Sequence, residues 1–379
     1  MLQVPKFMIE QLFIDNPLYF CLFASLVLAT LIQFVFHWWL YGSLFIRKKE
    51  AVSQFNDPVS VIICAKNEKH NLKKNLPHIL NQDYSEFEVI VVDDASDDES
   101  GLFLESLARQ NPKLKVLYVN SSLNFFKGKK FPLSIGIRSA KYDTVLLTDV
   151  DCCPSSKYWI QRMMASFTGD TKIVLGYTSV EKQKGFLNAV IRYDNLMSSI
   201  QFLSMAKRHL PYTGSGKNMA YRKELFYQNK GFVDLYNITA GDDDLFINKV
   251  VNKTNTVVQT HKESHIIASP KKTRRNWVLQ KRRQKAGAHY YKFLHKCILG
   301  WQSITQFLFF VLTIALLADG YMLYYVLIIF ALREISFLLI FKKCMNRFEE
   351  RKLLLTSLIM EVLMLIINPV FLLSSKKSK

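Results

Sequence analysis

The sequence predicts an α/β domain with a mostly parallel, doubly wound sheet, held between one N-terminal and about three C-terminal transmembrane helices. Three observations carry this. Short apolar runs alternate with helical stripes from residue 57 to 180, the pattern of βαβ units. Four segments are apolar over the roughly 20 residues that a bilayer crossing needs. Finally, 50 Lys+Arg against 31 Asp+Glu give a net charge of +19 in a chain that is 50% hydrophobic. That balance fits a membrane protein with a basic face better than a nucleic-acid binder. No zinc-finger spacing, RNP motif or heptad array supports nucleic acid as a partner.

The elements follow in order. Residues 16–46 contain no Asp, Glu, Lys or Arg. This run is much longer than the apolar core of a signal peptide, about 7–15 residues, so residues 1–46 read as an N-terminal segment and retained anchor. Arg47, Lys48 and Lys49 follow it, and the positive-inside rule puts that flank and the domain 47–297 in the cytoplasm. Strands are expected over 59–64, 87–92, 114–119, 144–148 and 172–180; the first is a continuous apolar run bounded by Pro58, as in a parallel strand buried on both faces. Helices are expected between them, including 131–140. Residues 186–210 form a long helix of mixed polarity, which suits either the membrane surface or ordinary packing. Residues 298–318, 321–341 and 353–373 are the remaining apolar segments, making 298–373 a transmembrane bundle and 374–379 a basic tail. Glu361 and Pro369 interrupt the last segment, which either crosses fully or does not. The six cysteines show no metal spacing and read as reduced thiols.

Carboxylates gather at the strand ends, where open α/β sheets bind ligands. Asp149-Val150-Asp151 closes the fourth strand. Carboxylate oxygens at that spacing suit Mg²⁺ or Mn²⁺, although an Asp at a strand end also serves turns and caps. Asp93-Asp94 closes the second strand, and Glu68 lies just past the first. Gly241-Asp242-Asp243-Asp244 opens a short helix. One Asp suffices for a cap, and crowding three raises one pKa towards that of a general base. Residues 273–285 are strongly basic around Trp277 and Gln280, suiting anionic lipid or an arginine clamp on phosphate. Within the bundle, Arg333 and Glu361 fall about 12 Å deep at about 1.5 Å rise per residue. Equal depth predicts an ion pair, with Glu334 as a rival partner and a lipid phosphate as an alternative ligand for Arg333.

Together these motifs resemble the membrane-bound family-2 glycosyltransferases, with a GT-A catalytic domain over roughly residues 57–290. The matching pieces, in order, are Ala65-Lys66-Asn67-Glu68, Val92-Asp93-Asp94-Ala95-Ser96, Gly128-Lys129-Lys130, Asp149-Val150-Asp151, Gly214-Ser215-Gly216-Lys217-Asn218, Gly241-Asp242-Asp243-Asp244-Leu245 and Gln280-Lys281-Arg282-Arg283-Gln284. Gly241 stands where the family has the Glu of E-D, and Gln284 where it has the Trp of Q-x-x-R-W.

The resemblance implies inverting, metal-dependent transfer of a sugar from a nucleotide-diphospho-sugar to a lipid-linked or glycan acceptor at an inner or cell membrane, in cell-envelope chemistry. It implies Asp242 as base with Asp243 as competitor. Glu68, Asp93, Asp94, Lys129, Lys130, Asp149 and Arg283 would hold the donor, and Asp149 and Asp151 the metal. Gly216, Asn218, Trp277 and Gln280 would lie on the acceptor side. The altered Q-x-x-R-W favours transfer of a single sugar over a processive polysaccharide synthase. A catalytically silent partner subunit and a nucleotidyltransferase are the other readings.

Overall fold

The computed structural model describes residues 16–46, 57–120, 128–236, 238 and 244–375. Helix α1 (Pro17–Phe34) continues through a π turn and a 3₁₀ turn to Phe45. Then come β1 (Val59–Ala65), α2 (Lys69–Leu80), β2 (Phe87–Asp93), α3 (Ser100–Gln110), β3 (Leu114–Tyr118), α4 (Lys130–Ser139) and β4 (Thr144–Leu147). The chain goes on through β5 (Cys152–Pro154), α5 (Trp159–Met164), β6 (Ile173–Gly176), β7 (Thr178–Val180), α6 (Phe186–Lys207), β8 (Met219–Arg222) and α7 (Lys223–Gln228). It closes with α8 (Asp244–Val250), β9 (Thr256–Gln259), β10 (Ile266–Ala268), α9 (Arg274–Ala288), α10 (Phe293–Asp319), α11 (Leu323–Arg347) and α12 (Leu354–Ser375).

Among the described residues, seven strands form one sheet in the order β3-β2-β1-β4-β8-β6-β9. β1 to β4 are mutually parallel, β8 runs antiparallel between β4 and β6, and β9 is parallel to β6. The central strands β1, β2 and β4 are covered on both faces. Val59, Val61 and Ile63 enter one core with Leu72, Leu76, Trp159 and Met163. Ile62, Ile90, Val92, Val145 and Leu147 enter the other. Each fully buried side chain of this kind contributes about 1.5–3 kcal/mol.

The run 172–180 is not one strand. It breaks at Tyr177, with β6 in the large sheet and β7 in a second sheet of order β5-β10-β7. The break follows from a close approach. A Cβ on Gly176 would lie 2.5 Å from the Asn218 amide, so the chain turns around that side chain. The small sheet matters for function because β5 begins directly after Asp151 and its pairing with β10 pins the exit of the D-x-D.

The second core does not stop at the domain. It continues through Leu196 and Leu203 of α6 into Tyr41, Leu44, Phe341, Phe348 and Met360 of the apolar helices. Helix α6 is therefore a packing helix, with Val190, Tyr193, Leu196, Ile200 and Leu203 buried, and not a surface-lying one. Tyr177 and Phe348 rings meet at 4.2 Å, Arg192 pairs with Glu350, and Arg347 donates to the Thr260 hydroxyl at 2.8 Å. The catalytic-type domain is seated on the bundle, not tethered to it.

Among the described residues four helices, Pro17–Phe45, Phe293–Asp319, Leu323–Arg347 and Leu354–Ser374, have the length and composition to cross a membrane. Arg333 is 0% exposed among them. It donates to Glu361 Oε1, to Glu334 Oε1 at 2.8 Å and to Gln33 Oε1 at 3.1 Å. Gln306 also donates to Glu361 Oε1, at 2.7 Å. The expected ion pair forms, and Glu334 joins it instead of competing with it. The lipid-phosphate alternative is overturned, because the guanidinium is enclosed by these partners and by the rings of Phe309, Phe310 and Phe337. None of the six cysteines is in a disulfide.

Candidate functional site

A cleft of about 740 Å³ opens at the carboxyl ends of β1 and β4 and runs to the base of α10. Its donor-like wall is made by the loops after β1 and β2. These loops are stitched to each other: Asn67 N–H donates to Ser96 Oγ at 2.9 Å, Asp97 N–H to Asn67 Oδ1 at 2.7 Å, and Lys69 N–H to Asp98 Oδ2 at 2.9 Å. Asn67 and Ala95 take φ of 54° each, a left-handed turn that non-glycine residues rarely adopt. The result holds Glu68 and Asp94 in the cleft lining. Asp93 is not among the lining residues. Its Oδ1 accepts the Ser96 hydroxyl and, at 3.2 Å, the Ser96 N–H, so its carboxylate is engaged in shaping the turn that aims Asp94.

Asp149 and Asp151 lie between β4 and β5. Cys152 N–H donates to Asp149 O at 3.1 Å, and Ser269 N–H, just past β10, donates to Asp151 O at 2.8 Å. The backbone of the D-x-D is thereby held on both sides. Lys217 Nζ lies 3.0 Å from Asp151 Oδ1 and 3.9 Å from Asp149 Oδ2. The two carboxylates thus address a single cation position. Lys271 Nζ is 3.3 Å from Asp151 Oδ2, and Lys129 pairs with Asp149 Oδ1. Burial opposes ionisation of Asp151, but the Lys217 and Lys271 ammonium groups outweigh it and hold the carboxyl well below the usual carboxylate range. Two convergent carboxylates are a hard-oxygen donor set of the kind that binds Mg²⁺ or Mn²⁺ alongside water and substrate phosphate, so the residues present fit such an ion. Lys217 and Lys271 were not expected from the sequence. They lie 66 and 120 residues from Asp151, and the only signal available was that both sit in polar turns bordering strands.

Lys130, expected beside Lys129, is 2% exposed at the back of the cleft, and its Nζ donates to the Ile238 carbonyl. Gly216 lines the cleft, whereas Asn218 does not. Asn218 is 0% exposed. It accepts from Trp159 Nε1 at 2.9 Å and donates to the Tyr177 and Ser264 carbonyls at 2.8 Å each. A side chain with these bonds made joins the two sheets and does not meet an acceptor, which corrects its expected role.

Helix α9 forms the opposite wall and presents Trp277, Gln280, Arg283, Gln284 and Lys285 to the cleft. Thr273 caps it, accepting from Asn276 N–H at 3.2 Å. Trp277 is 5% exposed and meets Phe371 of α12 edge-on at 5.6 Å, so it fastens the wall to the bundle as well as lining the cleft. Lys281, from the same helix, forms a buried ion pair with Asp194 of α6 at 2.6 Å. Burial, then the neighbouring Lys281, pushes Lys285 down to about 8.

Asp242 and Asp243 lie outside the described residues. Asp244, immediately after them, lines the cleft. In the first turn of α8 its Oδ1 accepts the Leu245 N–H at 2.8 Å, and the Tyr291 hydroxyl lies 3.5 Å from its other oxygen. A Cβ on Gly287 would fall 2.0 Å from Asp244 Oδ2, so a glycine there lets the end of α9 approach the Asp244 side chain closely. Beyond Tyr291 the cleft reaches Leu299 on α10. Nearby, Phe293, Leu294 and Trp301 are exposed.

The strand order, the D-x-D after β4 and the two-walled cleft define the protein as one with a GT-A fold. Residues 60–229 match the family described as Glycosyl transferase family 2. A Haemophilus influenzae protein described as an uncharacterized glycosyltransferase is 29% identical over 106 residues, 28% of this chain and 31% of its own length. A poly-β-1,6-N-acetyl-D-glucosamine synthase of Staphylococcus aureus is 23% identical over 181 residues, 43% of this chain and 42% of its own length. The chain thus spans less than half the length of these curated relatives. A mannosyltransferase from Pyrobaculum calidifontis, solved in complex with GDP-Man and Mn²⁺, shares the fold over 96% of this chain and 99% of its own, with a TM-score of 0.60 and 20% identity.

Proposed function

We propose that the protein transfers a sugar from a nucleotide-diphospho-sugar to a hydroxyl of a lipid-linked or membrane-proximal acceptor, with inversion at the anomeric carbon. The observation that carries this is the convergence of Asp149 and Asp151 on one cation position, in a cleft whose other end reaches the base of an apolar helix. Glu68 and Asp94 hold the nucleoside through carboxylate hydrogen bonds. Lys129 and Arg283 place fixed positive charge against the diphosphate. A divalent cation bound at Asp149 and Asp151 supplies further positive charge to the leaving group. Asp242 takes the acceptor's hydroxyl proton as that oxygen bonds to the anomeric carbon, and Asp243 is the competing base. The bond from the anomeric carbon to the diphosphate breaks, and the nucleoside diphosphate leaves with the electron pair.

The acceptor assignment is supported by Leu299 in the cleft lining and by exposed Phe293, Leu294 and Trp301 beside it, which give a lipid-borne hydroxyl an apolar approach. The basic residues 47–49 support a cytoplasmic domain. A second reading, repeated addition to a growing polysaccharide, is favoured by the synthase among the relatives, while Gln284 in place of the family's Trp favours single transfer. The test is a panel of nucleotide-sugars incubated with the purified protein and a lipid extract, scored by nucleoside diphosphate release and product size. Release that needs the extract and yields one added sugar is expected. Release of pyrophosphate, or no release from any donor, overturns the proposal.

A further inference from the structure

We propose that Lys217 and Lys271 grip the donor's diphosphate and, before it arrives, occupy the cation position of Asp149 and Asp151, so that divalent cation binding follows donor binding. This rests on the sugar-nucleotide reading above and adds an order of events and two residues to it.

The geometry gives both lysines fixed bases and movable tips. Lys217 precedes Asn218, whose side chain is locked by three hydrogen bonds and whose N–H donates to Ser215 O at 3.0 Å. Lys271 follows Ser269, tied to the Asp151 carbonyl at 2.8 Å. Each backbone is therefore held beside the D-x-D, while a flexible four-carbon stem carries a compact charge. The Lys217 side chain is 21% exposed and that of Lys271 39%, so both tips can reach a ligand entering the cleft.

Charge decides the order. Two carboxylates face the ammonium groups of Lys129, Lys217 and Lys271. The set already carries one surplus positive charge. A divalent cation entering alone must displace Lys217 and then sit among three like charges. A diphosphate entering first offers the lysines a stronger anionic partner. As they turn to it, the carboxylate oxygens become available and the local charge becomes negative. Coupling of this kind is reciprocal: the nucleoside diphosphate tightens the cation and the cation tightens the nucleoside diphosphate by the same factor.

The experiment measures Mn²⁺ binding by electron paramagnetic resonance, with and without UDP or GDP, and nucleoside diphosphate binding in a chelator. It uses the full chain and Lys217→Met, Lys271→Met and Lys217→Arg. Wild type is expected to bind Mn²⁺ at least about tenfold more tightly with nucleoside diphosphate present. Lys217→Met should bind Mn²⁺ alone about tenfold more tightly than wild type and lose about tenfold in metal-free nucleoside diphosphate affinity, the size of one charge-assisted hydrogen bond. Lys271→Met should move both affinities in the same directions by less, and Lys217→Arg should stay near wild type. Equal Mn²⁺ and nucleoside diphosphate affinities in wild type and both Met variants overturn the proposal while leaving the sugar-nucleotide reading intact. Wild type that binds no nucleoside diphosphate even with Mn²⁺ overturns both.

Discussion

The D-x-D cluster and the Arg333 cluster are built from the same groups, carboxylates against cations, in opposite surroundings. Arg333 and Glu361 are 0% and 2% exposed, fixed by Gln33 and Gln306 and roofed by aromatic rings. Asp149 and Asp151 meet their lysines at the floor of a cleft, with side chains 21% to 46% exposed on Lys217, Lys271 and Lys129. In the sealed cluster no other partner can enter, so the charges serve packing and helix register. In the open cluster each partner can be exchanged for a ligand. Access, more than composition, separates a structural ion pair from a binding site.

The largest effect should come from breaking the sealed cluster. Arg333→Ala leaves buried Glu361 and half-buried Glu334 without their cation, and a cost of about 3–5 kcal/mol is expected. Asp151→Ala should cost about 1 kcal/mol, because Lys217 and Lys271 can turn to water. Thermal unfolding in detergent checks both, and the exchange of Arg333 for Glu with Glu361 for Arg should restore part of the loss. Equal destabilisation by Arg333→Ala and Asp151→Ala would erase the contrast.

Catalysis is next. Asp242→Asn should lower transfer by about 10²–10⁴-fold, as expected for loss of a general base, while donor affinity and melting temperature hold. Normal turnover in that variant, with loss in Asp243→Asn, moves the base by one residue. Asn218→Ala sharpens the comparison from inside the domain. It leaves the Trp159 donor without its acceptor, so a stability loss of about 1–3 kcal/mol is expected, with the acceptor KM unchanged in whatever protein remains folded. An altered KM at wild-type stability would return Asn218 to the acceptor side.

The smallest effect concerns pH. Lys285 is held near 8 in the folded protein, against about 10.4 for an unperturbed lysine. Between those values the unfolded chain binds more protons, so stability rises with pH across that window. Lys285→Met should flatten the rise, measured as melting temperature against pH. An unchanged slope contradicts the burial of this amine.

Much of the framework could be read from the sequence for simple physical reasons. A strand buried on both faces must be largely apolar, as β1 is, and helical rise alone put Arg333 and Glu361 at one depth. What could not be read depended on contacts distant in the chain. The break at Tyr177 follows from Asn218 pressing on Gly176, and nothing local to 172–180 signals it. Lys217 and Lys271 reach Asp151 only once β8 and β10 are in place. Asn218 and Asp93 are polar residues in a Gly-rich turn and an acidic strand end, where a ligand contact and a scaffold hydrogen bond require the same residue types. Only the folded chain separates those two roles.

The most direct test is a titration of UDP and GDP, with Mn²⁺ present, into wild type and into the Asp149→Ala, Asp151→Ala double variant. Saturable binding in wild type and its loss in a double variant that melts near the wild-type temperature are the predicted results. Equal affinity in the two proteins would contradict the assignment of the D-x-D to a sugar-nucleotide diphosphate.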